Sequence, residues 1–279
     1  MNAFRNEQHI NKTVFFMNKR LKGLIVITVN LFILAGIGTL WINSFKRQRI
    51  QKPQALSIRI LNDDSKEQLL ETKDILSWFN VFYKKDIRKI PVYSLNLKEL
   101  EEYIISQPLV KRADIYLDAK SLLHADIYQR SPLMRIVDIN GNQFYLDEEG
   151  YKIPVSSKYS CRVLVATGPL ARVDGRKLAA EEKLFYSGLI NIAKAVSKDS
   201  FVRSLIEQID MDENGEFTMI PKVGNEKIFL GSSEMIEDKL ERLKLFYKEN
   251  MGRQGWNVYQ LVNLKFKGQV IGKKIQQES

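Results

Sequence analysis

The sequence predicts an α+β chain: an N-terminal transmembrane helix, a small β-α-α-β-β domain, then a larger mixed domain built on an antiparallel sheet. Three observations predict it. Leu24 to Ile42 is uncharged over nineteen residues. The tetrapeptide ADIY occurs twice, at 113–116 and 125–128, in runs where apolar and polar residues alternate. Beyond Pro132, short alternating runs are punctuated by Asn140-Gly141, Asn214-Gly215 and Gly224-Asn225 around two amphipathic stretches. Alternation marks strands and a 3.6-residue period marks helices.

The uncharged stretch organises the N-terminus. At about 1.5 Å per residue, a helix of this length matches a hydrocarbon core of about 30 Å. Trp41 suits the interfacial aromatic belt, and Asn30 either faces a partner helix or is tolerated within the span. A cleaved signal peptide is the rival, but Trp, Asn and Lys follow the run where a small-residue cleavage site belongs. Five basic residues precede the span and four follow it, so charge bias does not orient it. The predicted plan is a cytoplasmic tail at 1–22, the span at 23–43 and a linker at 44–56. The small domain then occupies 57–130, the larger domain 131–271 and a polar tail 272–279.

Charge follows this division. The formal net charge is +10, yet residues 1–52 hold nine basic side chains and one acid, Glu7, leaving only +2 for the rest. A nearly neutral folded region excludes nucleic acid as the expected partner. The single cysteine, Cys161, excludes an intrachain disulfide framework and a cysteine zinc cluster.

Leu56 to Ile60 alternates as a strand, with Ile58 and Ile60 on one face. In TKDILSWFNVFYK, Thr72 is placed as N-cap, and Ile75, Phe79 and Phe82 form a stripe. In SLNLKELEEYIISQP, Asn96 caps, Glu99 takes the capping-box position, Leu95 and Leu100 are spaced as a staple, and Pro108 ends the helix. The ADIY copies become the arms of a hairpin around Asp118–Ser121. Ala113, Ile115 and Leu117 share a face with Leu123, Ala125 and Ile127. In the larger domain, turns at 140–141 and 147–150 separate strands. A strand at 162–168 and a helix at 178–196 follow, then three strands within 202–230. A helix capped by Ser232 or Ser233 buries Ile236, Leu240, Leu243 and Phe246, and one or two strands close the chain.

Catalytic chemistry is hard to assemble. His9 lies across the span from the folded region, and His124 sits on the polar face of the hairpin, where a surface role is the simpler reading. DMDENG at 210–215 imitates a calcium loop, but Pro221 stands where the closing acid belongs, and a hairpin turn fits better. Asp147, Glu148 and Glu149 before Gly150 read as a solvated turn rather than an acid/base site. No metal, cofactor or catalytic site is expected.

The stretch QPLVKRADIYLDAKSLLHADIYQRSP resembles the signature of a POTRA domain: a helix ending in proline, a strand opened by Val110, and a hairpin arm leading into E-R-x-P. Here that motif reads Gln129-Arg130-Ser131-Pro132, with glutamine in place of the acid. FYLDEEGYKIPVSSKY and RVLVATG supply Asp147, Gly150, Pro154 and Gly168, and LVNLKFKGQV supplies Asn263, Leu264, Lys265 and Phe266. In this order, behind one apolar span, the motifs are similar to those of the bacterial cell-division family FtsQ/DivIB. The resemblance implies a non-catalytic protein of the inner (cytoplasmic) membrane at the septum, its N-terminus cytoplasmic and its bulk periplasmic. It also implies that FtsB-like and FtsL-like coiled-coil division proteins, and other divisome membrane proteins, are its partners. In that family the terminal strand of the second domain pairs with a partner strand. The matching surface here is Lys265, Phe266, Lys267, Gly268, Gln269 and Val270, with Phe266 either the apolar anchor or a core residue. The alternative is a POTRA-containing envelope assembly or secretion factor, disfavoured by a single copy and no barrel-length strand repeat. A membrane-anchored hydrolase lacks the side chains it would need.

Overall fold

The computed structural model describes residues 19–50, 52–53, 55–62, 68–171, 173, 175–251 and 255–276. The predicted tail at 1–22 therefore lies mostly outside the described residues, as does His9. Helix α1, Lys19–Ile50, contains the whole uncharged stretch. Its described apolar side chains between Leu24 and Ile42 are exposed, Phe32 at 81% and Leu40 at 72%. Thr28 and Thr39 return their hydroxyls to carbonyls of Leu24, Ile25 and Gly36 in the helix itself. Among the described residues no helix is long and apolar enough to cross a membrane. The uninterrupted described side chains of α1, residues 27–42, would span about 24 Å.

The small domain follows the expected order: β1 (Ala55–Asn62), α2 (Thr72–Tyr83), α3 (Leu97–Ile105), β2 (Val110–Leu117) and β3 (Leu122–Gln129). Its sheet runs β1-β3-β2, with β1 parallel and β2 antiparallel to β3. Ile75 and Phe79 of α2 and Leu100 and Ile104 of α3 bury against Ala113, Ile115, Leu123, Ala125 and Ile127. The two ADIY copies do pair, Ala113 with Ile127 and Ile115 with Ala125. That register sets Asp114 directly opposite Asp126, a repulsive pair on one face. Arginines relieve it: Arg59 bonds Asp126 at 2.6 and 2.7 Å, and Arg112 lies 3.1 Å from Asp114. At the cap of α2, Thr72 is the first helical residue and Glu71 the cap, its N–H bonded to Asp74.

The larger domain holds β4 (Met134–Val137), β5 (Gln143–Leu146), β6 (Lys152–Pro154), β7 (Leu164–Thr167), β8 (Ile206–Met211), β9 (Phe217–Pro221), β10 (Lys227–Gly231), β11 (Tyr259–Asn263) and β12 (Ile271–Lys274). They form one sheet in the order β12-β11-β10-β9-β8-β7-β4-β5-β6. It is mixed rather than antiparallel: β4–β7, β7–β8 and β10–β11 are parallel. Parallel neighbours need crossovers, and α4 (Ala180–Lys198) with the short α5 (Ser200–Leu205) supplies the one between β7 and β8. Strands β5 and β6 lie in the connection from β4 to β7, and helix α6 (Ile236–Phe246) in that from β10 to β11, its Ile236, Leu240, Leu243 and Phe246 packing with Tyr186, Leu189 and Ala193 of α4 into a single core. Two local readings need correction. Ser200–Leu205 is helical, not the start of a strand, because Asp199 caps the N–H groups of Phe201 and Val202. Helix α6 is entered through Met235 in a left-handed conformation, φ +50°, and not through a serine cap.

Gly168 follows β7 at φ +121°, and a Cβ there would lie 2.1 Å from the Met211 carbonyl oxygen. Only glycine lets the chain leave β7 this close to β8. The turn at Asp212–Gly215 is a hairpin held by the Asp212 carboxylate, which accepts from Asn214 and Glu216 N–H. Among the described residues no cluster is arranged to hold a metal.

Candidate functional site

The residues expected to offer an edge strand do not form one. Lys265 to Val270 make the connection from β11 to β12, turning at Gly268, φ +71°. Side chains hold this turn from below. Arg242 of α6 donates to the carbonyls of Phe266 at 3.0 Å and of Gln269, and Asn263 Oδ1 accepts from Lys265 N at 2.9 Å. Lys265 Nζ pairs with Glu216 and lies 5.6 Å from the centre of the Phe229 ring. Phe266 is 51% exposed, which removes the core-packing reading, while Val270 packs against the main core. Lys267, Gly268 and Gln269 are exposed.

The edge lies one strand further on, starting at the last residue of the predicted larger domain and running into what the sequence reads as a polar tail. Strand β12 pairs antiparallel with β11, Asn263 opposite Ile271 and Val262 opposite Gly272. It is the terminal strand of the sheet, and among the described residues no strand covers its outer side. Every residue of β12 is exposed, with Ile271 at 47% and Ile275 just beyond it at 45%. Ile275 N donates to Val258 O at 3.0 Å. With a two-residue alternation, Ile271 and Lys273 then face β11, whereas Gly272 and Lys274 direct N–H and C=O outward. Gly272 has a packing role as well: a Cβ there would meet the Tyr259 ring at 2.5 Å. Tyr259 in turn stacks edge-on with Phe246, ring centres 5.1 Å apart.

Buried polar groups stiffen the ground beneath this edge. Lys239, 6% exposed, donates to the carbonyls of Leu230 at 2.9 Å and Ser232 at 2.7 Å, and burial lowers its pKa. The Tyr247 hydroxyl donates to Glu226 Oε1 at 2.5 Å, and burial pushes the phenol pKa well above its ordinary range.

The opposite edge, β6, meets the small domain. Leu69 packs with Tyr145, Ile153 and Cys161 there, and Arg176 donates to the carbonyls of Ile105 and, at 2.9 Å, Gln107. The Gln129-Arg130-Ser131-Pro132 motif sits at this junction, and its glutamine needs no charge. Gln129 Oε1 accepts from the N–H groups of Leu69 and Leu70 at 2.7 and 2.9 Å, just ahead of α2. Arg130, 4% exposed, pairs with Asp147 at 2.6 Å and lies over the Tyr151 ring at 3.6 Å. Asp147 does hold the expected turn, its Oδ1 accepting from Glu149 N and Tyr151 N at 2.9 and 2.7 Å, but it is buried and paired rather than solvated, whereas Glu148 and Glu149 are exposed. No local pattern announces this pair, since its members stand seventeen positions apart. His124 is half-buried, stacked on Tyr116 with centres 5.0 Å apart and 3.4 Å from Asp118.

The sequence of this larger domain matches a known family. Residues 131–273 fit the family described as FtsQ/DivIB, C-terminal related. A search of curated proteins finds no match.

Proposed function

The chain belongs to the FtsQ/DivIB, C-terminal related family, and from that premise we propose that it is a membrane-anchored scaffold of cell division that recruits septal partners by strand addition. A division role with protein partners follows from the family. The finer reading is ours: α1 is a single span through the inner membrane, the β-α-α-β-β unit is a POTRA-type domain outside it, and β12 is the docking strand. The observation that carries the last step is the outer side of β12, exposed along its length and uncovered by any strand among the described residues. Backbone groups on such an edge supply affinity, and alternating side chains select the partner. Ile271 and Ile275 offer apolar contact, while Lys273 and Lys274 favour an acidic partner strand and discourage edge-to-edge aggregation. The turn Lys265–Val270 flanks the docked strand, with Phe266 as an apolar anchor at its margin. The partners fitting this reading are FtsB-like and FtsL-like coiled-coil division proteins.

Lys274→Pro tests it. Proline removes an outward N–H while leaving the bonds to β11 in place, so partner affinity should fall roughly fivefold or more with unchanged thermal stability. Unchanged affinity in a titration against the purified coiled-coil partner would remove β12 from the account.

A further inference from the structure

The end of the small domain nearest α1 is basic, and we propose that it rests on the membrane surface and binds anionic phospholipid headgroups. The proposal depends on α1 being the membrane span. Chain direction fixes which end this is. Ala55, where β1 begins, is level with Leu122, so the Asp118–Ser121 turn lies at the same end. Helix α2 returns to that end from Leu70, which is held by Gln129 at the far end of β3. The Tyr83 hydroxyl reaches the Asn96 carbonyl, joining the end of α2 to the start of α3. Glu101 bonds Ile115 N, so α3 runs back along β2 from this same end. The 3-10 turn Val92–Ser94 lies here and touches α1.

Position and charge then coincide. Only five peptide steps separate Ile50 from Ala55, a reach of at most about 18 Å. The short connection and the approach of Val92–Ser94 to α1 keep this rim beside the helix. Lys84, Lys85, Arg88, Lys89, Lys98 and Lys120 are all exposed on it. Three acids share the rim, and two are already occupied. Asp86 binds Arg88 at 2.9 Å, and Asp118 accepts from Lys120 N and Leu122 N in its own turn and lies 3.4 Å from His124. Glu99 remains exposed. Among the described residues Lys84, Lys85, Lys89, Lys98 and Lys120 form no ion pair. The far end differs: Lys73 pairs with Glu71, Lys158 with Asp74 and Lys111 with Glu149. Tyr93, 66% exposed on the turn that touches α1, offers an aromatic ring at the depth where such rings favour the interface. Lysines within a Debye length of an anionic leaflet are drawn to it, and here no acid of the protein competes for most of them.

The test uses the full chain in nanodiscs of phosphatidylcholine, with and without phosphatidylglycerol. Amine acetylation at each lysine is read by mass spectrometry. Lys84, Lys85 and Lys89 should react roughly fivefold more slowly in the anionic discs. High salt should restore their rates, while Lys198 and Lys227 of the larger domain stay unchanged. Equal rates in both discs, with the chain retained on the bilayer after an alkaline wash, would overturn the headgroup proposal while leaving the span intact. Loss of the chain in that wash would overturn the span reading, and this proposal with it.

Discussion

The two edges of the nine-stranded sheet end differently. At β6 the chain closes its own edge. The strand ends in Pro154, Lys152 N bonds the Arg176 carbonyl, Tyr151 bridges Lys177, and the small domain packs Leu69 against Ile153. At β12 nothing comparable is present among the described residues, and the strand is exposed at all four positions. Natural sheets blunt their edges with proline, charge or a covering loop. One edge here has proline and cover, whereas the other has two lysines and is left uncovered. The difference leaves β6 paired into the fold and β12 exposed at the terminus of the sheet, which is why the proposed docking is placed on β12.

Breaking the closed edge should have the largest effect. Arg130→Met leaves the Asp147 carboxylate buried without its partner, at a cost of about 3–5 kcal/mol. Urea unfolding should show that loss, while amide exchange at β12, at the other end of the sheet, stays as in the parent chain.

The open edge is easier to disturb without unfolding the domain. Gly272→Val sets side-chain atoms into the space of the Tyr259 ring and should cost about 1–3 kcal/mol, lifting β12 from β11. Faster exchange confined to Tyr259–Lys274 would be the sign. Exchange unchanged there would mean that Tyr259 can turn aside.

The small domain, which covers the closed edge, should be acid-sensitive. Arg59 holds Asp126 below the ordinary carboxylate range, the Leu122 amide does the same for Asp118, and Arg88 for Asp86. Carboxyls depressed in the folded state contribute stability that is complete above their unfolded pKa and is lost as pH falls through the folded values. Stability should therefore hold at neutral pH and decline below about pH 4. Fluorescence of Trp78, packed beside this core, should report the decline, and Arg59→Gln should shift it to higher pH.

Phe266→Ala should have the smallest effect on stability, within about 0.5 kcal/mol, because the ring is half exposed on the turn. Any larger loss measured by thermal melting would mean that the ring packs at this edge after all.

What the sequence revealed and what it hid have physical causes. The hairpin of β2 and β3 was legible because its apolar face repeats every second residue and its turn carries Asp118. The stripes of α2, α3 and α6 were legible for the same reason at a period of 3.6. Parallel pairings such as β7 with β8 were not, since paired residues such as Val165 and Gln208 stand far apart in the chain and no local pattern marks the crossover as one. Strand β12 was hidden because an exposed edge strand has no buried face to impose alternation, and Gly272 and two lysines give it the texture of a tail. The terminal strand therefore lies at 271–274 rather than at the expected 265–270, and the proposed docking edge moves with it. The Arg130–Asp147 pair was invisible because only the assembled junction brings its halves together.

The claim that β12 accepts a partner strand is tested most directly by amide exchange at single-residue resolution, on the full chain with and without the coiled-coil partner. The account predicts that the outward amides of Gly272 and Lys274 become protected on binding while those of Lys152–Pro154 do not change. Protection that appears elsewhere and leaves Gly272 and Lys274 exchanging as before would contradict it.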